Sequence, residues 1–106
     1  MPRALIKLPP TAKRGEIIEI KTLISHEMET GFRHSSTGAP IARDIITNFV
    51  ATWNGEEIFS ARLFPAIAAN PFITFHTIAT ESGTIEFRWT GDNGYSASEQ
   101  VKITVE

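Results

Sequence analysis

The main pattern along the chain is an alternation of apolar and polar residues with a period of two. Within residues 15–24, Ile18 and Ile20 alternate with Glu19 and Lys21. Successive side chains of a β-strand point to opposite faces, so this alternation predicts a strand with one buried face. Alternating or β-branched segments recur along the chain and predict further strands at residues 4–6, 43–52, 56–64, 72–80, 85–89 and 101–105.

Residues with turn-forming chemistry separate these segments. Asn54-Gly55 supplies the positive φ angles of a tight hairpin, Ser82-Gly83 is expected to do the same, and residues 91–94 suit a four-residue loop. No segment has the apolar spacing of a long helix, and residues 65–70 allow at most one helical turn. The pattern therefore predicts an all-β protein, an immunoglobulin-like antiparallel β-sandwich of about seven strands.

Composition narrows the classes of function. The chain has 106 residues, which fits a single domain over residues 1–106, and it contains no cysteine. Disulfides, thiolate zinc sites, iron–sulfur clusters and cysteine nucleophiles are therefore excluded. A net charge of -2 provides no positive field for nucleic acid. The apolar run at residues 4–6 stops at Lys7, so we expect neither a signal peptide nor a membrane span.

Residues 25–41 form the first connection that is too long for a hairpin turn. Loops beyond about 12 to 15 residues are uncommon in compact domains unless they bind something or are disordered. This one mixes apolar Met28 and Phe32 with charged Glu29 and Arg33. Such a mixture is typical of a contact surface with an apolar centre and a polar rim. The alternative is a solvated loop whose Met28 and Phe32 only cover the end of the sandwich.

Residues 64–73 form a second unusual connection, because they carry no charged residue. The segment includes Ile67, Asn70 and Phe72, and Pro65 and Pro71 restrict its backbone. Loops normally run over the surface, so an uncharged loop either folds against the core or is covered by another protein. Both interpretations remain open from the sequence.

Catalytic and metal-binding patterns are weak. The three histidines, His26, His34 and His76, have no local metal-ligand spacing. Superoxide reductases, an immunoglobulin-like iron family, use histidines together with a cysteine, which this chain lacks. Glu27 and Glu29 are better explained as solvated acids than as an acid–base pair. We expect no catalytic residue, no metal site and no cofactor, and we expect that the chain is not an enzyme.

Aromatic residues offer one alternative function. Trp53 and Tyr95 could form a stacking platform for a sugar or another small ligand, which would make the chain an immunoglobulin-like binding module without a protein partner. Trp89 is not part of this hypothesis, because it alternates in register with Ile85 and Phe87 and is expected in the core.

The two unusual connections also carry a family resemblance. Residues 14–26, RGEIIEIKTLISH, followed by Met28, Gly31 and Arg33, strongly resemble SoxZ, one subunit of the SoxYZ carrier of sulfur oxidation. The segment AIAANPF at residues 66–72 and the strand around Trp89 resemble the same family. The similarity runs in order over essentially the whole chain.

The resemblance implies a small immunoglobulin-like subunit that pairs with SoxY, whose C-terminal cysteine carries sulfur intermediates covalently between the enzymes of thiosulfate oxidation. It implies a periplasmic location reached by export with the signal-bearing partner, and transient contact with other sulfur-oxidation enzymes. We expect Met28, Phe32, Ile67 and Phe72 to supply apolar contact. The remaining expected partner-binding residues, for register and specificity, are Glu29, Arg33, Arg43 and Asn70.

Overall fold

A computed structural model describes residues 3–106 as eight β-strands in two sheets. One turn of 3-10 helix, Asp92–Gly94, connects the last two strands. The strands are β1 (Ala4–Lys7), β2 (Thr11–Ala12), β3 (Ile17–Ile24), β4 (Ile46–Trp53), β5 (Glu56–Arg62), β6 (Phe72–Ile78), β7 (Gly83–Gly91) and β8 (Ser96–Val105).

The strands form a three-stranded sheet in the order β1-β3-β6 and a five-stranded sheet in the order β2-β8-β7-β4-β5. The predicted all-β, immunoglobulin-like sandwich is therefore confirmed. It has one strand more than the seven expected, because β2 contains two residues and is too short to show an alternating pattern. Pairing is antiparallel except between β2 and β8, which run parallel. Within residues 3–106, no helix is long and apolar enough to cross a membrane.

The core lies between the two sheets and is aromatic at its centre. Phe49 on β4 contacts Trp89 on β7, with ring centroids 5.2 Å apart, and Phe75 on β6 of the opposite sheet, at 6.2 Å. Trp89 is fully buried, as the alternation around it predicted. Ile18 and Ile20 are also buried on the inner face of β3. No disulfide joins the sheets, since the chain has no cysteine.

Most strand boundaries differ from the sequence-based prediction by one to three residues, and β8 begins at Ser96 instead of residue 101. Two of the differences have a clear cause. Strand β4 begins at Ile46 instead of residue 43, because Asp44 pairs its backbone with Glu29 in the preceding connection. Strand β5 ends at Arg62, and the chain then makes a turn in which Ile67 N–H donates to the carbonyl of Phe64 at 3.0 Å. Residues 65–70 contain no helical turn.

The predicted hairpin at Asn54-Gly55 is confirmed, because φ is 51° at Asn54 and 85° at Gly55 between β4 and β5. The prediction for Ser82-Gly83 is wrong, since neither residue has a positive φ. Glycine is instead needed at position 83 because the Asn54 side chain lies close to the backbone there. The Asn54 side chain accepts from Thr84 N–H at 2.9 Å and donates to the carbonyl of Ser82 at 3.2 Å, so it lies directly against Gly83.

Replacing Gly83 with alanine should therefore destabilise the sandwich. A Cβ at this position would lie 1.9 Å from Asn54 Oδ1, so one group must shift. We expect Gly83→Ala to lower the free energy of unfolding by about 1–3 kcal/mol, measured by urea denaturation. The same change in an Asn54→Ala background should cost much less, because the clashing amide is gone. Equal costs in both backgrounds would contradict this explanation.

Candidate protein-interaction site

Three irregular connections lie at one end of the sandwich, which we call the loop end: residues 25–45, 63–71 and 92–95. Strand β3 runs into this end at Ile24, and β6 leaves it at Phe72. The five-stranded sheet reaches the same end where Ile46 pairs with Gly91. The two connections that the sequence singled out therefore meet in space.

The first connection is not a structureless loop. Glu29 and Asp44 exchange two backbone hydrogen bonds of 2.8 Å each, which closes an irregular hairpin over residues 29–44. Further along, Ile41 N–H donates to Arg33 O at 3.0 Å, and Ser35 N–H donates to Ala39 O at 2.8 Å. The 29–44 hairpin is thus an ordered projection from the loop end.

Two ion pairs stabilise the 29–44 hairpin. Within it, Arg33 Nε donates to Glu29 Oε2 at 3.1 Å, and Arg33 Nη2 also contacts this carboxylate. At its base, the Arg43 guanidinium donates to both carboxylate oxygens of Asp92, at 2.8 and 2.9 Å. These hydrogen bonds lower the pKa of Glu29 and of Asp92 and raise the pKa of Arg33. Arg43 therefore attaches the hairpin to the β7–β8 connection.

Met28 does not provide the contact surface expected of it. Its side chain is 4% exposed and packs in the core, where its sulfur accepts a hydrogen bond from Ile46 N–H at 3.3 Å. Its backbone has a φ of 54°, an unusual value for methionine, and its N–H donates to His26 Nδ1 at 2.9 Å. Met28 instead holds the hairpin against the sheets.

A polar cluster lies beneath the hairpin. The His26 ring is largely buried, meets Tyr95 edge-on with centroids 4.7 Å apart, and places Nε2 at 3.9 Å from Asp44 Oδ1. Because His26 Nδ1 accepts from Met28 N–H, the ring proton belongs on Nε2, facing Asp44. Burial, together with the negative charge of Asp44, raises the pKa of Tyr95.

Asn70 joins the second connection to the first. Its side-chain oxygen accepts from His26 N–H at 2.9 Å, and its own N–H donates to the carbonyl of His26 at 2.7 Å. Its positive φ of 55° is one that asparagine tolerates well. Asn70 thus fixes the relative position of the two connections.

Large apolar side chains surround this polar framework at the surface. Phe32 at the hairpin is 82% exposed, and Phe72 continues an apolar cross-strand row formed by Leu5 and Leu23. Leu5 and Phe64 were missed as site residues. Phe64 was placed at the end of a predicted strand and Leu5 within a predicted strand of three residues, and neither position offers enough alternation to predict exposure. The exposed apolar residues at or beside the loop end are Leu5, Phe32, Phe64, Ile67 and Phe72.

The alternative platform of Trp53 and Tyr95 does not exist in the structure. Trp53 is 4% exposed, and its indole N–H donates to the carbonyl of Glu81 at 3.0 Å. Trp53 ends β4, whereas Tyr95 lies near its start at Ile46, so roughly 23 Å of strand separates them. The hypothesis of a sugar site built on these two residues is wrong.

The histidines occupy three separate places: His26 beneath the hairpin, His34 within it, and His76 on the outer face of β6 beside Glu19. Across residues 3–106, no group of three histidine, aspartate or glutamate side chains is placed to hold a metal ion. Glu29 is paired with Arg33 and does not join His26.

Fold and site together define the class: an immunoglobulin-like domain whose ordered loops expose apolar side chains within a charged rim, as protein-interaction domains do. The family model "Sulphur oxidation protein SoxZ" matches residues 6–102. The chain therefore belongs to the SoxZ family of sulfur-oxidation proteins. No curated protein sequence matches this chain.

Several solved structures share the fold. A superoxide reductase (neelaredoxin) from Ignicoccus hospitalis has a TM-score of 0.75 and 15% identity, covering 97% of this chain and 80% of its own. The sulfur carrier protein SoxY from Chlorobium limicola f thiosulfatophilum has a TM-score of 0.69 and 12% identity, covering 97% and 78%. The CARDB domain of the PF1109 protein from Pyrococcus furiosus, solved with di-metal ions, has a TM-score of 0.61 and 14% identity, covering 100% and 88%.

The Arg43–Asp92 ion pair should make stability depend on pH. The folded-state pKa of Asp92 lies below its ordinary value of 3.8, so the pair stabilises the fold above that value and is lost as the pH falls through the lower folded value. We expect Asp92→Asn to have a lower urea midpoint than the wild type at pH 7. Near pH 2 the two midpoints should be nearly equal. Glu99→Gln, at an exposed carboxylate on β8, serves as the control. A deficit in Asp92→Asn that stayed constant with pH would rule out the ion pair as its cause.

Proposed function

We propose that this chain is the scaffold subunit of a heterodimeric sulfur carrier in thiosulfate oxidation. Its partner is a SoxY-type subunit, and the sulfur is held covalently on a cysteine of that partner. Family membership supports this role, and so does the absence of cysteine from the chain. The observation that carries the proposal is the concentration of exposed apolar side chains around the loop end, where a monomer would leave them in water.

The loop end has the arrangement that a stable protein contact requires. Phe32, Ile67 and Phe72 are exposed and supply apolar area, while Arg33, the next residue after Phe32 in the 29–44 hairpin, presents a largely exposed guanidinium. Aromatic residues and arginine are the residue types most often found at the energetic centre of interfaces. We assign Phe32, Ile67, Phe72 and Arg33 to direct contact with the SoxY-type subunit.

The other residues of the expected site position these contacts. Met28 anchors the 29–44 hairpin in the core, and Asn70 links the two connections. Glu29 orients Arg33, and Arg43 attaches the hairpin to Asp92. Because these hydrogen bonds are made within the chain, the loop end is ordered before binding, which reduces the entropy lost on association.

The subunit carries out no catalytic step in this proposal. It would act as a single domain, reach the periplasm by export with its signal-bearing partner, and meet other sulfur-oxidation enzymes transiently as part of the carrier. The absence of cysteine has a chemical advantage there. A thiolate close to a persulfide or thiosulfonate on the partner would exchange with it and form off-pathway disulfides.

Truncating Phe32 should weaken the heterodimer. Phe32 is 82% exposed, so Phe32→Ala should leave the unfolding transition unchanged while it removes a central contact. We expect the dissociation constant for a purified SoxY-type subunit to rise about 10- to 30-fold, measured by isothermal titration calorimetry. Ile17→Ala is the matched control, because Ile17 is exposed at the opposite end of β3. Wild-type chain that failed to bind the partner would overturn the proposed function.

Reversing the charge at Arg33 tests whether the charged residues around the apolar contacts of the loop end take part in binding. Arg33→Glu should place a second carboxylate beside Glu29. We expect this change to slow association with the SoxY-type subunit more than it speeds dissociation, and we expect the effect to shrink at high salt. Arg88→Glu, at an exposed arginine on β7, is the control and should bind normally. The measurement is surface plasmon resonance across salt concentrations. Identical kinetics for the two variants would remove Arg33 from the interface.

A further inference from the structure

Strand β6 is an open sheet edge without the usual protection against pairing. Its sequence, FITFHTI at Phe72–Ile78, contains no lysine, arginine, carboxylate or proline, and its pairing with β3 has no bulge. Natural edge strands are normally kept short, charged, bulged or covered, because their free backbone groups can pair with another chain. The molecule leaves seven residues of β6 without any of these features.

The other edge strands do carry such features. Strand β5 contains Glu56, Glu57 and Arg62, and its pairing with β4 is interrupted by a register shift. Strand β1 has four residues and ends in Lys7. Strand β8 is paired with β2 at one end only, and its remaining free edge carries Glu99 and Lys102. The unprotected edge is therefore specific to β6.

The hydrogen bonds between β6 and its neighbour show which backbone N–H and C=O groups of β6 point away from β3. At its two ends, Ile24 N–H donates to Pro71 O at 3.2 Å and Ala79 N–H donates to Glu16 O at 2.8 Å. Backbone groups alternate in direction along an antiparallel strand, so the odd-numbered residues of β6 bond to β3. The even-numbered residues direct their N–H and C=O groups to the open edge, and they are Phe72, Thr74, His76 and Ile78.

We propose that β6 pairs with β6 of a second copy of this chain, antiparallel about a two-fold axis at Phe75, to form a continuous six-stranded sheet. In this register Phe72 faces Ile78 of the second copy, and Thr74 faces its His76. Every facing pair with free backbone groups joins two even-numbered residues, so about eight inter-chain hydrogen bonds can form. A shift of one residue would pair even with odd positions and would lose these bonds.

The side chains fit this register as well. On the outer face, Leu5, Leu23 and Phe72 form one cross-strand row, and Ile17 and Ile78 form another. The two-fold axis joins the first row of one copy to the second row of the other, so five apolar residues become contiguous, twice per dimer. This covers Phe72 and Ile78, which are 61% and 55% exposed in the single chain. Such a contact is isologous, because the same patch is used on both copies, and it closes at two chains.

Charge supports the same arrangement. Strand β5 lies against β6 through Phe59 and Phe75, whose rings stack with centroids 4.5 Å apart. The two-fold axis reverses β5, so the Glu56 end of one copy lies at the same end of the interface as the Arg62 end of the other. No like charges face each other across the β6 pair. The pairing needs no other protein. It shares Phe72 with the partner contact proposed above, so the two contacts would compete at that residue, whereas Phe32, Arg33 and Ile67 lie outside β6.

Sedimentation equilibrium of the purified full-length chain alone, from about 1 μM to about 1 mM, tests the proposal. The wild-type mass should rise from one chain to two and stop there. Thr74→Pro should stay monomeric, or dimerise at least about tenfold more weakly, because proline removes an N–H directed to the edge and leaves the β3 ladder intact. Thr74→Lys provides a second variant that keeps the backbone unchanged and places a charge at the contact.

Ser98→Pro is the matched control. The bonds from Thr104 N–H to Pro10 O and from Glu106 N–H to Ala12 O show that even-numbered residues of β8 also point away from β7. This variant therefore places proline at an equivalent edge position outside the proposed interface, and it should dimerise like wild type. Circular dichroism verifies that each variant is folded.

Residue-resolved amide hydrogen exchange tests whether the contact between copies lies along the open edge of β6. Raising the protein concentration should slow exchange at Thr74, His76 and Ile78, while Phe75 should be slow at all concentrations. A wild-type chain that is monomeric throughout would overturn the proposal, as would growth beyond two chains or Thr74→Lys dimerising like wild type. Protection of these amides only after a SoxY-type subunit is added would also overturn it, by assigning the edge to that partner.

Discussion

Packing around the Phe49 ring holds the two sheets together and determines which surfaces the molecule exposes. Phe49 is fully buried and contacts aromatic rings from both sheets, with centroid distances between 5.2 and 6.3 Å. Its partner across the sandwich is Phe75. Because strand side chains alternate, turning Phe75 inward turns Phe72 and Ile78 outward. The exposed apolar residues of β6 are thus a direct consequence of the core contact.

The loop end illustrates a different constraint, the need to satisfy backbone polar groups where regular pairing stops. Irregular segments there bond to one another: Asn70 to His26, Asp44 to Glu29, and Ile45 to the Asp92 side chain. These bonds leave the loops little freedom. Phe32 and Ile67 are consequently presented on an ordered base, which suits the proposed role of holding a partner in one orientation.

Much of the fold could be predicted from local patterns. Ile18, Ile20 and Trp89 were assigned correctly to buried faces, and Asn54-Gly55 to a hairpin, because alternation and turn chemistry are properties of neighbouring residues. The family could be named from residues 14–33, residues 66–72 and the strand around Trp89, and it is confirmed by the match over residues 6–102. The assignment of a partner surface on these segments stays a prediction.

Less of the candidate site could be predicted from the sequence. Met28 and Phe32 lie four residues apart in one connection and are similarly apolar, yet one is buried and the other is exposed. Trp53 was considered for a surface platform but lies in the core. In irregular segments no period relates position to burial, so the sequence contains no local signal that separates such residues.

The sequence by itself determined the strand faces, the hairpin chemistry and the absence of any thiol, since these depend on residue type and on short spacings. Only the tertiary structure decided that the two unusual connections meet, that Arg43 binds Asp92, and that β6 is left as an unprotected edge. Those features depend on contacts between residues more than forty positions apart, such as Asn70 with His26. Such contacts arise from the packing of whole sheets, which local residue patterns do not encode.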